Sequence, residues 1–226
     1  MRCQRYLWFV VILCLLSACA GLDTRPTAQT AFEQGLALFD QGRYAEALPH
    51  FQQATELDPN FTRAFLYLGR AYLNLGRWFD AVPPLRTALR LAPQDTRQEI
   101  MSILVDALLG AATSKLKQGD LSSSITWLKE VLTLQPQSTQ VIQQLVQTLL
   151  QYGGELMAQG RLVDAIAAYR EATRLAPQQL EGYLGLARAL LQQRELGSAL
   201  SAVKEALHLA PTNLDALSLL RQIQAR

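Results

Sequence analysis

From residue 28 onward the apolar positions fall at helical spacing and are interrupted at regular intervals by glycine and proline. Ala31, Gln34, Gly35 and Leu38 share one helical face; Gly42 breaks the run; Tyr44, Ala47, Leu48, Phe51 and Ala54 form a second stripe; Pro59 ends it. That pattern predicts a helix, a turn and an antiparallel helix, because three-to-four-residue spacing places apolar side chains on a single helical face. The phrase Ala54-Thr-Glu-Leu-Asp-Pro59 returns as Ala88-Leu-Arg-Leu-Ala-Pro93, and Ala172-Thr-Arg-Leu-Ala-Pro177 returns as Ala206-Leu-His-Leu-Ala-Pro211, each pair 34 residues apart. The same period relates Gly35 to Gly69, Gly42 to Gly76, Ala47 to Ala81 and Ala165 to Ala199. A fixed period of this length predicts hairpins that cannot bury their stripes alone and must stack. Small residues at Gly35 and Ala47 let the paired backbones approach closely.

Five units follow, at about 28–61, 62–95, 105–138, 146–179 and 180–213. The second is the fullest, with Phe65, Leu68, Gly69, Tyr72, Gly76, Trp78, Ala81, Leu85, Ala88 and Pro93. The third departs most, with Ala112, Lys115 and Ser124 where the second has Gly69, Tyr72 and Ala81. Nine extra residues, 96–104, precede it and seven, 139–145, follow it. Both inserts mix apolar and polar residues without glycine or proline. They are expected to lengthen the next helices, to about 96–118 and 139–158, which would protrude side by side from one end of the array. Gly153-Gly154 is expected to weaken the second of these and allow a bend. Asn213 is placed to cap a last helix, 214–225, whose Leu214, Leu217, Leu220 and Ile223 would cover the end of the stack.

This 34-residue pattern resembles the tetratricopeptide repeat over residues 28–226. The resemblance implies an all-α, right-handed α-solenoid of about five helix-turn-helix units plus a C-terminal capping helix. It further implies a concave groove lined by the first helix of each unit. Projected onto those positions, the groove is Phe32, Leu36 and Phe39 in unit one, then Arg63, Leu66, Tyr67, Arg70, Leu73 and Asn74 in unit two. Leu109, Leu116 and Lys117 follow in unit three, Leu150, Gln151 and Met157 in unit four, and Leu184, Arg188 and Leu191 in unit five. Such a groove is apolar with a few cationic points. It is expected to take an apolar segment or amphipathic helix of another envelope protein, with Arg63 and Arg70 pairing an acid on it. The Lys and Asn set that clamps a C-terminal carboxylate in some members is replaced here by Phe32, Glu33 and Leu36, so that clamp is not expected.

The first residues carry a different message. Met1 to Arg5 is short and positive, Tyr6 to Leu16 is an apolar run of eleven residues, and Leu16-Ser17-Ala18-Cys19 follows directly. This is the layout of a secretory signal, and as a helix the run would span only about half of a bilayer's hydrocarbon core. Leu-Ser-Ala-Cys resembles the bacterial lipobox. On that resemblance residues 1–18 are a lipoprotein signal peptide, Cys19 carries the lipid, and 19–27 form a short tether. Ala20 in place of Asp implies the outer membrane, with the folded part facing the periplasm. An ordinary signal or a short membrane anchor are the alternatives.

Composition narrows the chemistry. Half of the 226 residues are hydrophobic and 18% charged, enough for a large core. All three cysteines (Cys3, Cys14, Cys19) lie in the first 19 residues, so the repeats contain no thiol. The two histidines, His50 and His208, are far apart in sequence and give little material for a metal site or an activated nucleophile. Of 21 basic residues Arg2 and Arg5 precede Cys19, leaving 19 against 19 acidic ones; a body of zero net charge is not a phosphate-tracking nucleic-acid binder. Glu33, Asp106 and Glu181 are too dispersed along the groove for paired acid and base chemistry. The sequence therefore predicts a non-catalytic scaffold without cofactor or metal that organises a multiprotein complex, of the pilus or secretin, peptidoglycan-enzyme or polysaccharide-export kind. Self-association through the groove and a carbohydrate-binding or enzymatic use of it are the alternatives.

Overall fold

The computed structural model describes residues 26–225, all of whose regular structure is helical. The signal segment, Cys19 and most of the tether lie outside the described residues. Eleven helices alternate in direction: α1 (Ala28–Asp40), α2 (Tyr44–Leu57), α3 (Thr62–Asn74), α4 (Trp78–Leu91), α5 (Gln94–Lys117) and α6 (Leu121–Leu134). They continue through α7 (Thr139–Ala158), α8 (Leu162–Leu175), α9 (Leu180–Gln192), α10 (Leu196–Leu209) and α11 (Leu214–Gln224). Each helix packs on its neighbours in sequence, which makes the molecule an α-solenoid of five hairpins and a terminal helix.

Within a hairpin the two helices close on a small residue. An added Cβ on Gly35 would come within 2.8 Å of the Phe51 ring, and one on Gly153 within 2.7 Å of the Tyr169 ring. At Gly153-Gly154, where a bend was expected, α7 runs on as one helix and Tyr169 fills the space that Gly153 leaves. The turns are equally uniform. Gly42, Gly76, Gly119 and Gly160 all take positive φ, near 70–76°, which opens the chain into the second helix at no steric cost. In the fifth hairpin Arg194 occupies this place at φ 66°. Just after the turn, Arg43 pairs with Glu46, Arg77 with Asp80 at 2.8 Å and Arg161 with Asp164 at 2.7 Å, the same ion pair across the first turn of the second helix in units one, two and four. Unit three uses a side-chain cap instead: the Asp120 carboxylate accepts the Ser123 N–H at 3.1 Å, and hydrogen bonding from Ser123 holds its pKa below the usual value.

The two inserts do lengthen α5 and α7, to 24 and 20 residues, but the helices do not protrude side by side. Their added turns are buried: Ile100 and Leu104 in α5, Val141 and Leu145 in α7, all at 3% exposure or less. No Cα of α5 comes within 8 Å of one of α7. The reason is that each long helix serves two hairpins. Arg97 donates to the Leu89 carbonyl at 3.2 Å near the end of α4, while Gly110 lies against the Trp78 indole at its start. α5 therefore continues the stack on α4 from Arg97 as far as Gly110, and its C-terminal part, ending at the Gly119 turn, also pairs with α6. Nine inserted residues are about two and a half turns, so the face offered to α6 is rotated about half a turn from where the period would have put it. Seven residues in α7 are close to two whole turns and rotate its face little.

The core divides at the same place. One cluster runs from Ala31 to Leu149 and takes in Ala168 and Ala172. The other runs from Leu156 to Ile223. In α11 the Asn213 side chain accepts the Ala216 N–H at 2.9 Å, as a cap should, but the buried stripe is Ala216, Leu219 and Ile223. Leu217 and Leu220 are half-buried, and Leu214, expected to cover the stack, is 79% exposed because it sits about half a turn round the helix from that stripe.

Two comparisons between units give stability predictions. Arg194 holds a backbone conformation that costs a side-chain-bearing residue about 1 kcal/mol or more relative to glycine. Arg194→Gly should therefore raise the urea midpoint by an amount equivalent to about 1 kcal/mol, and an unchanged or lower midpoint would contradict the assignment. Ser124 is fully buried where the other units carry Ala47, Ala81, Ala165 and Ala199, and its Oγ has no hydrogen-bond partner. Ser124→Ala removes that desolvated hydroxyl and should stabilise the protein by about 1 kcal/mol in the same measurement.

Candidate functional site

The first helices α1, α3, α5, α7 and α9 carry the positions projected onto the groove, and the structure sorts them into three groups. In units one and two several are core. Phe32 is 1% exposed and sits among Phe51, Phe61 and Tyr67, with ring centroids at 5.7, 5.0 and 5.5 Å. Phe39 packs on Tyr44 at 5.0 Å and Tyr67 at 5.3 Å. Leu66 is buried, as are Leu184 and Leu191 in unit five, while Leu36 and Leu73 are half-buried. The aromatic contacts hold α1, α2 and α3 together, and the buried Phe32, Leu66, Leu184 and Leu191 are not open to a partner.

The arginines are engaged too. Arg63 lies over the Phe32 ring at 5.0 Å, and Arg70 over Tyr67 at 5.4 Å. Arg70 also meets Glu99 of α5 at 2.5 Å, so the acid expected from a partner comes from the same chain. Arg188 in α9 likewise pairs with Asp215 of α11 at 2.5 Å. These contacts join successive first helices. Beneath Arg188, burial pushes the Tyr169 phenol above its ordinary pKa, with the guanidinium offsetting part of the effect. Leu150 and Met157 of α7 are half-buried against the second core cluster, Gln151 bonds to Glu155 on its own helix, and Asn74 donates to the Arg70 carbonyl.

Unit three differs. Leu109 and Lys117 border an open concavity of about 440 Å³, whose other walls are Trp78 at the start of α4 and Asp106, Gly110, Thr113 and Ser114 of α5. Leu116, half-buried, is not among its walls. An added Cβ on Gly110 would collide with the indole, so this glycine is what lets Trp78 lie flat against the backbone of α5. Thr113 and Ser114 supply hydroxyls, Leu109 and the indole supply apolar surface, and Asp106 and Lys117 place opposite charges at the two ends. Asp106 and Lys117 form no ion pair with any described residue.

Trp78 reads from the sequence as a packing anchor and Gly110 draws no notice. The signal that could have found the site was a glycine inside a long helix that is neither at a cap nor at a hairpin closure. Elsewhere, a smaller cleft of about 320 Å³ between α6, α7 and α8 is crossed by ion pairs of the chain itself, Arg161 with Asp164 and Lys129 with Glu171. Among the described residues no three metal-ligating side chains come together, and no helix is long and apolar enough to cross a membrane.

Solved structures share this architecture. A TPR repeats protein from Bacteroides fragilis aligns over 88% of this chain and 98% of its own with a TM-score of 0.57 at 14% identity, a likeness of fold. A thermophilic TPR protein of Thermus thermophilus is 23% identical over 88% of this chain and all of its own, with a TM-score of 0.35. No curated protein matches the sequence. The family model described as tetratricopeptide repeat matches residues 32–96 and 153–213, more than half of the chain, and on that match this protein belongs to the tetratricopeptide repeat family.

Proposed function

We propose that this protein is a non-catalytic scaffold that binds other envelope proteins through the first-helix face of its solenoid, and that it is held at the bacterial outer membrane by lipid on Cys19. Tetratricopeptide repeat domains bind protein partners. The observation that carries the reading here is the open concavity on α5, where Asp106 and Lys117 form no ion pair with a described residue, while Phe32, Leu66, Leu184, Leu191, Arg70 and Arg188 are engaged within the chain. The lipid anchor rests on Leu16-Ser17-Ala18-Cys19 alone. A tether of 19–27 is at most about 30 Å when extended, so the solenoid would work close to the membrane. Durable attachment follows from several acyl chains at about 0.8 kcal/mol per buried methylene. The partner would belong to an assembly of the pilus or secretin, peptidoglycan-enzyme or polysaccharide-export kind.

Two measurements test these statements. Cys19→Ser should abolish metabolic labelling with radiolabelled palmitate and move the protein out of the membrane pellet; retained label or retained pelleting would dismiss the anchor. For the scaffold, a photo-crosslinking residue at exposed Arg63 or Asn74, or at Thr113, should join the full-length protein to a common partner in native membranes. The same probe at Lys204 on α10, a second helix, should not. Equal labelling from both faces, or none from the first-helix face, would dismiss it.

A further inference from the structure

We infer that the concavity on α5 is a shelf for one amphipathic helix of a partner, read by charge. The docked helix presents a basic residue to Asp106, an apolar residue to Trp78 and Leu109, and an acidic residue to Lys117. This rests on the scaffold reading above and specifies its partner.

The argument starts from the nine-residue insert. Arg70 lies four residues before the end of α3 and pairs with Glu99, so α3 stops near the level of residue 103 in the parallel helix α5. α5 continues to Lys117. Glu99, Asp106 and Thr113 are spaced seven residues apart, about two turns, and so lie along a single stripe of α5. At the upper end of that stripe Glu99 is engaged by Arg70 of α3. From Asp106 to Lys117, about 16 Å of helix, the same stripe has nothing on it except the Trp78 indole at one side. The insert has thus pushed the second half of α5 past the end of its neighbour and left a step one helix wide.

The chemistry of the step selects its occupant. Successive first helices of this chain are tied by an arginine against an acid on the next helix, Arg70 to Glu99 and Arg188 to Asp215. Asp106 stands two turns further along the stripe that bears Glu99 and lacks its arginine. Lys117, at the other end, lies on the negative end of the α5 dipole and faces open solvent, ready for an acid. Between them the surface is the Trp78 indole, Leu109 and the short side chains of Thr113 and Ser114. An extended peptide laid over it would bury backbone N–H and C=O groups with nothing to pair them, because the backbone of α5 is already paired within the helix. A helix brings those groups satisfied, and one of three turns spans the distance between the two charges.

The test uses the full-length protein in detergent and a displayed library of sixteen-residue helical peptides. Each peptide carries a fixed leucine stripe, with two positions eleven residues apart randomised among Lys, Glu and Ala. Selection on the native protein should enrich one charge arrangement, Lys toward Asp106 and Glu toward Lys117, at least about tenfold over its reverse. Spin or photo-labels at Thr113 report which end lies where. On the doubly reversed variant Asp106→Lys with Lys117→Glu the preference should invert, while circular dichroism shows the fold retained. No enrichment, or the same enrichment on both proteins, would overturn the shelf. A native partner that crosslinks from Arg63 or Asn74 but not from Thr113 would also overturn it while leaving the scaffold reading in place.

Discussion

The close approach of two helices at a small residue is the constraint on which the rest of the solenoid depends. Gly35, Gly69 and Gly153 each admit a large side chain from the second helix of the hairpin, Phe51, Leu85 and Tyr169, into space that a Cβ would occupy. Where the first helix carries Ala187 instead, the second carries the smaller Val203, and both are fully buried. The exchange keeps the filled volume roughly constant, as a core packed to crystalline density requires. Hairpins of one thickness can then stack at a fixed period, and the turn glycines with their neighbouring ion pairs repeat with them.

A stack of identical units would present a uniform face. The departure at unit three breaks that uniformity without breaking the fold, because α5 and α7 are long enough to satisfy the hairpin on each side in two different registers. The cost is visible in unit three itself, where Ser124 is buried without a partner and a side-chain cap replaces the arginine pair. The consequence is local: α5 and α7 separate, the core splits into two clusters, and the only stretch of first-helix surface with unpaired opposite charges among the described residues lies on the overhang. Elsewhere aromatic clustering and inter-helix ion pairs use up the side chains that a partner would need. The molecule therefore joins an N-terminal block, dense in Phe and Tyr, to a C-terminal block within α7, and the candidate site lies on the N-terminal block, where α5 runs past its neighbour.

Much of this was legible in the chain. The 34-residue period gave the hairpins, their turns and the family, and the insert lengths gave the two long helices to within two residues. Periodicity also named Leu109 and Lys117, which line the concavity on α5. It failed for Phe32, Leu66, Leu184 and Leu191, which share the groove face in projection but lie deep enough to touch the next helix. It failed again for Arg70, whose partner Glu99 lies in the insert, outside the repeat pattern. Leu214 was assigned to the core on spacing alone and lies about half a turn round the helix from the buried stripe.

Sequence by itself determined which residues form helices and where they turn, because helix periodicity, glycine at positive φ and proline stops act over a few neighbouring residues. It also determined the charge balance and the thiol-free body. Only the tertiary structure decided which side of each helix meets another. A nine-residue insertion turns a helical face by about half a turn and advances it by about 14 Å, and whether the exposed step that results is filled depends on where the neighbouring helix ends. That is a property of three helices together, and no local pattern in α5 records it.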